Sequence, residues 1–468
     1  MKLIRTNYVI AVLFLATLMS YTIVSTPSKI AVIGTGYVGL VSGPGLAEFG
    51  NTVICADIDK DKIKRLKQNE IPIYEPGLKE LVDRNVIAGK LSFTDNVQTA
   101  INEADIILIA VGTPMDEDGT ADLKYVKNVI DMINPTIEQP KIICIKSTVP
   151  MGTGTWIRKL LEDRGVNPHS FSIVSNPEFL REGSAVNDFL YSDRIVIGAE
   201  NETALQTMRA VYKEAGDKGT KMVLTNVPTA ETIKYASNGF LALKISYANE
   251  LANLCDATGA DAKIVTYAMG LDTRIGSLFL NPGPGFGGSC FPKDSQALLR
   301  IGQQHGIDLH CVQASLIANN HQKEIASEKL LHLMNNKVDD KTIAILGLAF
   351  KANTDDIRYS PAITAIKKLL ERGAHIQAYD PAAMSNMKQQ FFPEITYASN
   401  AYEAVTGADA VIIMTEWNEF KELNWEQATT LMRGNILVDM RNLIEPTRLN
   451  ALGLKWSAIG RTCFIEKP

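Results

Sequence analysis

The short apolar run Lys29–Ile33 passes directly into Gly34-x-Gly36-x-x-Gly39, with Tyr37 and Val38 between the last two glycines. A helical pattern then runs to Phe49, and a second apolar run, Thr52–Ala56, ends on Asp57. This order leaves the chain few choices. A strand, a helix and a returning strand make a β–α–β unit of an α/β fold. The first two glycines permit a tight turn and close approach of a pyrophosphate, the third lets helix and strand pack, and the acid is placed for ribose hydroxyls. No arginine directly follows Asp57, so NAD is favoured over NADP. Pro44 lies inside the helical pattern. An interior proline removes a hydrogen bond at a cost of ~3 kcal/mol, so a kink is expected there, with an effect on the tightness of cofactor binding rather than its location.

At 468 residues, 46% hydrophobic and 21% charged, the chain has material for about three domains with sizeable cores. A net charge of −5 argues against a nucleic-acid partner. The six cysteines are scattered without a C-x-x-C pair, so zinc and disulfide readings are poor and a reducing, cytoplasmic home is expected. No metal is called for. Residues 6–28 carry no charge, and residues 8–24 are mostly apolar behind Lys2 and Arg5. They read as a signal-peptide core, a short membrane anchor, or an extension ahead of a fold that starts near Lys29. A cofactor fold favours the last, and any membrane contact would come only through residues 1–27.

The β–α alternation continues. Residues 106–111 read as a strand before Gly112-Thr113-Pro114, and residues 142–145 as a strand before Lys146-Ser147-Thr148. Ligands collect outside the carboxyl ends of parallel strands, which places Thr113 and Thr148 where cofactor and substrate should meet. Glu178 and Glu182 are four apart and would share a face if their segment were helical. Residues 229–258 lack proline and carry a helical apolar rhythm, with Thr229 as a candidate cap and Gly259 as the stop. A helix this long exceeds what one small domain needs, so it is expected to join two domains, with Lys234 and Asn238 on one face. From Lys341 a second α/β pattern begins without G-x-G-x-x-G. The expected fold class is therefore α/β, two Rossmann-like doubly wound domains joined by a helical segment. The expected division is 1–27, 28–228, 229–335 and 336–468.

Between these domains lies Gly283-Pro284-Gly285-Phe286-Gly287-Gly288-Ser289-Cys290-Phe291-Pro292-Lys293-Asp294. Dense glycine lets backbone N–H groups approach a ligand closely. Cys290 is a candidate nucleophile if Lys293 or a helix N-terminus favours its thiolate.

Residues 285–294 resemble the active-site loop of the UDP-glucose/GDP-mannose dehydrogenase family, and further motifs of that family follow in order from about Lys29 onward. The resemblance implies oxidation of a nucleotide sugar at C6 by NAD, from alcohol to acid, most like UDP-glucose to UDP-glucuronate. GDP-mannose and UDP-N-acetyl-hexosamine enzymes share the motifs, and a non-enzymatic nucleotide-binding regulator would have no need of Cys290, Lys234 and Asp294 together. The implied catalytic residues are Cys290 as nucleophile, Lys234 and Asn238 at the oxyanions, and Asp294, Thr148 and Glu178 for water and protons. The implied cofactor contacts are Gly34, Gly36, Tyr37, Val38, Gly39, Asp57, Lys62, Thr113, Thr148, Glu182, Lys293 and Arg358. Substrate contacts are implied at Glu178, Phe179, Leu180, Arg181, Glu182, Lys234 and Asn238. Others follow at Phe279, Leu280, Asn281, Pro282, Gly283, Gly287 and Lys351. Arg274 resembles the family's arginine that reaches the partner subunit's site, and the resemblance implies a homodimer through the long central helix.

Overall fold

The computed structural model describes residues 28–462 apart from 135 and 138. The apolar segment 1–27 and Cys463 lie outside the described residues. Among the described residues no helix is long and apolar enough to cross a membrane.

The first sheet contains β1 (Lys29–Ile33), β2 (Thr52–Ala56), β3 (Leu91–Thr94), β4 (Ile106–Ile109), β5 (Lys141–Ile145), β6 (Phe171–Ser175), β7 (Arg194–Ala199) and β8 (Lys221–Thr225). Their order is β3-β2-β1-β4-β5-β6-β7-β8. All neighbours are parallel except β6 and β7. Ile30, Val32, Ile106 and Leu108 feed one face, and Ala31, Ile33, Ile107 and Ile109 the other. Burial on both faces explains why these strands read as continuous apolar runs rather than alternations.

The second sheet contains β9 (Thr342–Leu346), β10 (His375–Tyr379), β11 (Thr396–Tyr397), β12 (Ala410–Ile413), β13 (Ile436–Asp439), β14 (Lys455–Ala458) and β15 (Arg461–Thr462). Its order, β11-β10-β9-β12-β13-β14-β15, repeats the first seven positions of the first sheet. The expected α/β class with two doubly wound domains is what the chain adopts.

Helix Val227–Thr258 links them. It starts two residues before the predicted start. Asn226, not Thr229, is the cap, accepting from the Thr229 N–H at 3.0 Å. Pro228 fits the first turn because its missing N–H would have no partner there. Gly259 ends the helix at φ 79°. Helix His310–Leu333 packs along it, with Ser246 donating to the Ser315 carbonyl at 2.8 Å and Asn253 to Gln322 at 2.9 Å. The same helix packs on Pro361–Leu370 of the second domain. Ala252, Cys255 and Ala262 from the central segment enter the second domain's core directly. On the outer side of the long helix, Phe240, Tyr247 and Leu254 recur every seventh residue and are 62%, 50% and 58% exposed. Ile264, Tyr267 and Leu271 continue this apolar surface on helix Ala262–Gly270.

The expected kink at Pro44 does not break the helix. Helix Tyr37–Glu48 runs through the proline without interruption, and Pro44 is buried between Gly43 and Gly45. Those glycines let Cys55 and the Phe189 ring approach closely, since a Cβ at either would collide with them.

Candidate active site

The glycine turn at the end of β1 is built for a close ligand. Gly34 has φ 98°, and a Cβ there would press on the Ala110 carbonyl. A Cβ on Gly39 would run into the Gly34 carbonyl, whereas nothing lies within 4 Å of the space beside Gly36. The turn is thus tight on its protein side and open on its outer side, at the N-terminus of helix Tyr37–Glu48. Asp57 Oδ2 accepts from Thr35 N at 2.8 Å and Thr35 Oγ1 at 2.7 Å, with Lys62 Nζ at 3.4 Å. Burial would raise the Asp57 carboxyl, but Thr35, Asp59 and Lys62 outweigh it and hold it below its ordinary value. A cleft of about 320 Å³ runs past Gly34, Asp57, Val111 and Tyr125. These features fit one half of a dinucleotide. Thr113 Oγ1 donates to the Thr148 carbonyl at 2.9 Å and ties the ends of β4 and β5 together at this cleft.

Across the sheet's carboxyl end the long helix brings Lys234 and Asn238 inward, both buried. Lys234 Nζ lies 2.8 Å from Glu178 Oε1, and the two side chains are each only 4% exposed. Burial works against both charges. Glu178, with Cys290 and Asp294 behind it, outweighs burial and holds the Lys234 ammonium above its ordinary value. Lys234 likewise holds the Glu178 carboxyl below its own. Asn238 Nδ2 donates to Asp294 Oδ2 at 2.6 Å, and Lys293 Nζ lies 2.6 Å from Asp294 Oδ1.

Cys290 is the N-cap of helix Phe291–Gln304 and is partly exposed. The expectation that Lys293 favours its thiolate needs correction, because that lysine is spent on Asp294. Burial, then Asp294 and Glu178, push the thiol up to about 11, against the pull of Lys234 and the contact with Ser289.

The loop that carries Cys290 is stitched on three sides. Gly283 N donates to Asn249 of the long helix at 2.8 Å. Gln322 donates to the Gly283 carbonyl at 2.8 Å, and Asn319 exchanges bonds of 2.7 and 3.0 Å with the Phe286 backbone. Gly288 N donates to the Arg358 carbonyl at 2.7 Å, so the second domain holds the loop as well. A Cβ on Gly287 or Gly288 would meet Tyr359 or the Phe350 ring. Leu280, Pro282 and Gly283 are buried while Asn281 is exposed, and Phe279 sits at φ 64° with its ring edge-on to Phe291.

Glu178 and Glu182 do not share a helical face. Residues 176–181 form an irregular loop after β6, so the two carboxylates part. Glu178 turns to Lys234. Glu182 turns to Ser289 at 3.2 Å, Thr354 at 3.2 Å and Arg358 at 3.5 Å. Phe179 lies under Arg194, whose guanidinium is 3.6 Å from the ring centroid. Leu180 is half-buried, and Arg181 is paired outward with Asp188. Tyr37 OH accepts from Gly183 N at 2.9 Å, while Val38 packs on the core. Lys351 is near Glu182, and burial lowers its ammonium against that attraction. Arg274 stays away from all of this. Its side chain is 87% exposed and pairs with its neighbour Asp272.

Several residues here had no motif to mark them. Arg441 donates to the Met414 carbonyl and the Phe350 carbonyl, each at 2.9 Å, and faces Gly283. Glu75 accepts from Gly183 N at 2.6 Å and Ala185 N at 2.8 Å, fixing the loop after Glu182. Lys146, buried behind Glu178, donates to Asn176 at 3.1 Å and Tyr212 at 3.3 Å, and burial pushes its ammonium down to about 8. The signal available for Asn249, Asn319 and Gln322 was an uncharged amide on the buried face of a helix, which needs a partner.

Residues 28–216 match the family model for the NAD-binding domain of UDP-glucose/GDP-mannose dehydrogenases, residues 228–321 the central domain, and residues 344–446 the UDP-binding domain. A UDP-glucose 6-dehydrogenase of Bacillus subtilis is 45% identical over 433 residues, covering 92% of this chain and 93% of the relative. One of Rhizobium meliloti is 43% identical, covering 92% and 99%. The solved UDP-glucose dehydrogenase of Pyrobaculum islandicum superposes with a TM-score of 0.87 at 36% identity, over 94% of this chain and 99% of that one. A UDP-D-ManNAc dehydrogenase of Pyrococcus horikoshii gives 0.82 at 28% identity, over 92% and 99%. With all three domains matched in order, around a loop that joins them at one cysteine, the chain belongs to the UDP-glucose/GDP-mannose dehydrogenase family.

Proposed function

We propose that this protein oxidises UDP-glucose at C6 to UDP-glucuronate, with Cys290 carrying the sugar between two hydride transfers. The observation that carries this reading is the convergence on one loop of Lys234 with Glu178, Asn238 with Asp294, and Cys290. When bound, NAD supplies the hydride acceptor. Lys234, charged and buried, is a fixed positive charge for an oxyanion at O6, and Asn238 adds a donor beside it. Cys290 adds to the aldehyde through sulfur and keeps it on the protein while the spent cofactor is exchanged. Glu178 and Asp294 hold and orient the water that cleaves the thioester, with Thr148 beside the cofactor. Lys351, Gly287 and the 279–283 backbone bind the nucleotide sugar, and Lys62 and Arg358 the cofactor.

The same reading divides the chain at about residues 28–228, 229–335 and 336–468. It also pairs two copies through the long helix. The apolar stripe at Phe240, Tyr247 and Leu254 stays exposed among the described residues, and Arg274 points away from its own site into solvent. Two copies joined along that stripe would let each arginine serve the other's substrate.

The test is a panel of nucleotide sugars assayed for NADH release. UDP-glucose should give the highest kcat/KM and two NADH per acid. A higher kcat/KM on GDP-mannose overturns the substrate assignment. Cys290→Ser should lower steady acid production by orders of magnitude. Acid made by that variant at near wild-type rate would end the covalent role.

A further inference from the structure

Ser289 stands between the thiol and the carboxylate of Glu182. Its Oγ is 3.2 Å from Glu182 Oε1 and 3.5 Å from Cys290 Sγ. A serine hydroxyl has one hydrogen and two lone pairs. Because that hydrogen goes to the carboxylate, the thiol must be the donor in the second contact. The three groups therefore form one directed chain, from S–H to Oγ–H to Oε1.

The other acids near the sulfur are taken. Asp294 has Asn238 on one oxygen and Lys293 on the other. Glu178 has Lys234 on one and the Leu180 N–H on the other. Glu182 is different. It faces Asp356 as well as Arg358, Lys351 and Thr354, and burial followed by Asp356 pushes its carboxyl up to about 7 despite those cations. The thiol faces Asp294, Glu178 and Lys234 and lies near 11. At neutral pH such a thiol is protonated and needs a base when it attacks. Glu182 is the carboxylate raised toward the thiol's proton affinity and joined to it by a hydroxyl bridge.

We propose that Ser289 is a catalytic proton relay that carries the Cys290 proton to Glu182 as the sulfur adds to the aldehyde; this rests on the covalent role given to Cys290 above. In that step the S–H bond breaks and its proton passes to Ser289 Oγ, while the Ser289 proton passes to Glu182 Oε1. The sulfur electron pair forms the bond to C6, and the carbonyl π pair moves onto O6 beside Lys234 and Asn238. Nothing is oxidised or reduced. The thiolate that leaves on thioester cleavage takes its proton back along the same path.

The experiment separates the two halves of the reaction. UDP-glucose and its 6-aldehyde are each given to the enzyme with NAD, and single-turnover NADH formation is followed from pH 5.5 to 9 (about, by the range that brackets Glu182). Ser289→Ala should slow the aldehyde half about 10- to 100-fold near pH 7 while leaving the alcohol half within about twofold, and Ser289→Thr should restore the aldehyde half. Glu182→Gln should remove the acid limb of the aldehyde half. A second readout needs no cofactor. Carboxamidomethylation of Cys290, followed by mass spectrometry at neutral pH, should be several-fold slower in Ser289→Ala and recover in Ser289→Thr. An unchanged aldehyde half with an unchanged pH profile, or equal loss in both halves that Ser289→Thr does not rescue, overturns the relay. If Ser289→Ala does not fold, Ser289→Thr and Glu182→Gln decide the matter. Failure of the covalent reading would look different, because Cys290→Ser would then oxidise the aldehyde as fast as wild type.

Discussion

The two Rossmann-like domains share a strand order and an opening device, yet treat it differently. In each, the first strand ends on a glycine with positive φ, Gly34 at 98° and Gly347 at 102°, and the second strand ends on an aspartate. In the first domain residues 34–36 lead straight into a helix, and Asp57 stays near the cleft mouth. In the second, residues 347–360 wander before helix Pro361–Leu370, and Asp380 is fully buried. Its Oδ2 accepts from Leu348 N, Ala349 N and Trp417 Nε1, and its Oδ1 from Ala382 N and Ala383 N. Nothing is left for a ribose. The same acid thus lines an open cleft in one domain and holds a loop in the other. The loop it holds carries Phe350, Lys351, Thr354 and Arg358 to the Cys290 loop and Glu182. Topology is common to both domains, and the length of one turn decides what each can bind.

The largest effect should come from breaking the second member of this pair. Asp380→Ala leaves five donors without their acceptor in a dry core. Each orphaned group costs ~1–3 kcal/mol, so a loss of about 3–5 kcal/mol after partial relaxation is expected in chemical denaturation. Asp57→Ala should cost less, about 1–3 kcal/mol, since Thr35 is buried but Asp59 and Lys62 reach solvent, and should in addition raise KM for NAD about tenfold or more. Equal stability losses in the two variants would show that Asp57 is also a structural acid.

The glycines sharpen the same contrast. Gly39→Ala drives a methyl group into the Gly34 carbonyl, and Gly347→Ala drives one into Thr415 while holding φ near 102°. Each should cost about 1–3 kcal/mol. Gly36→Ala meets no protein atom. Its thermal stability should match wild type while cofactor affinity falls, as seen in NAD titration. A large drop in melting temperature for Gly36→Ala would mean the open side of the turn is not the ligand's.

The first glycine turn was legible in the sequence because strand, glycines, helix and acid lie within one short stretch. The second was legible as α/β but not as a site. Asp380 looks like Asp57 in sequence, and only the path of residues 347–360 tells them apart. The loop at Cys290 was found through that cysteine and its glycines. Its anchors, Asn249, Asn319, Gln322 and Arg441, come from three distant segments, and each alone resembles a solvated polar residue. The spacing of Glu178 and Glu182 suited a shared helical face only if their segment were helical, and Asn176 and Pro177 open an extended loop instead. The backbone before proline is biased away from helix, a local cue that outweighs spacing. Asn226 was missed as the cap because Pro228 was taken to lie outside the helix.

The smallest of these effects is a pH dependence, and it tests whether the first domain's buried pair contributes stability or only chemistry. Glu178 has a folded pKa below its unfolded value, so its contribution is fully present above about pH 4.3 and is lost as pH falls through the depressed folded value. Lys234 has a folded pKa above its unfolded value, so its contribution is fully present below about pH 10.4 and is lost as pH rises through the elevated one. Between these limits the pair should leave stability flat. Glu178→Gln removes the first term and leaves the Lys234 ammonium buried without its anion. Its ammonium should then release its proton more readily, and the stability of the variant should begin to fall at a lower alkaline pH than that of wild type. The second domain supplies the control. Asp439 is buried, and burial raises its carboxyl despite backbone donors that include Arg441 N and Ile444 N. Its ionisation works against folding as pH rises through the acid range, so Asp439→Asn should make stability rise more steeply with pH there and leave the alkaline limb unchanged. Denaturation midpoints measured across the pH range should show a shifted alkaline limb for Glu178→Gln and an unshifted one for Asp439→Asn. If Glu178→Gln leaves the alkaline limb where it was, Lys234 has another anion to lean on, and Asp294 would be the group to remove next.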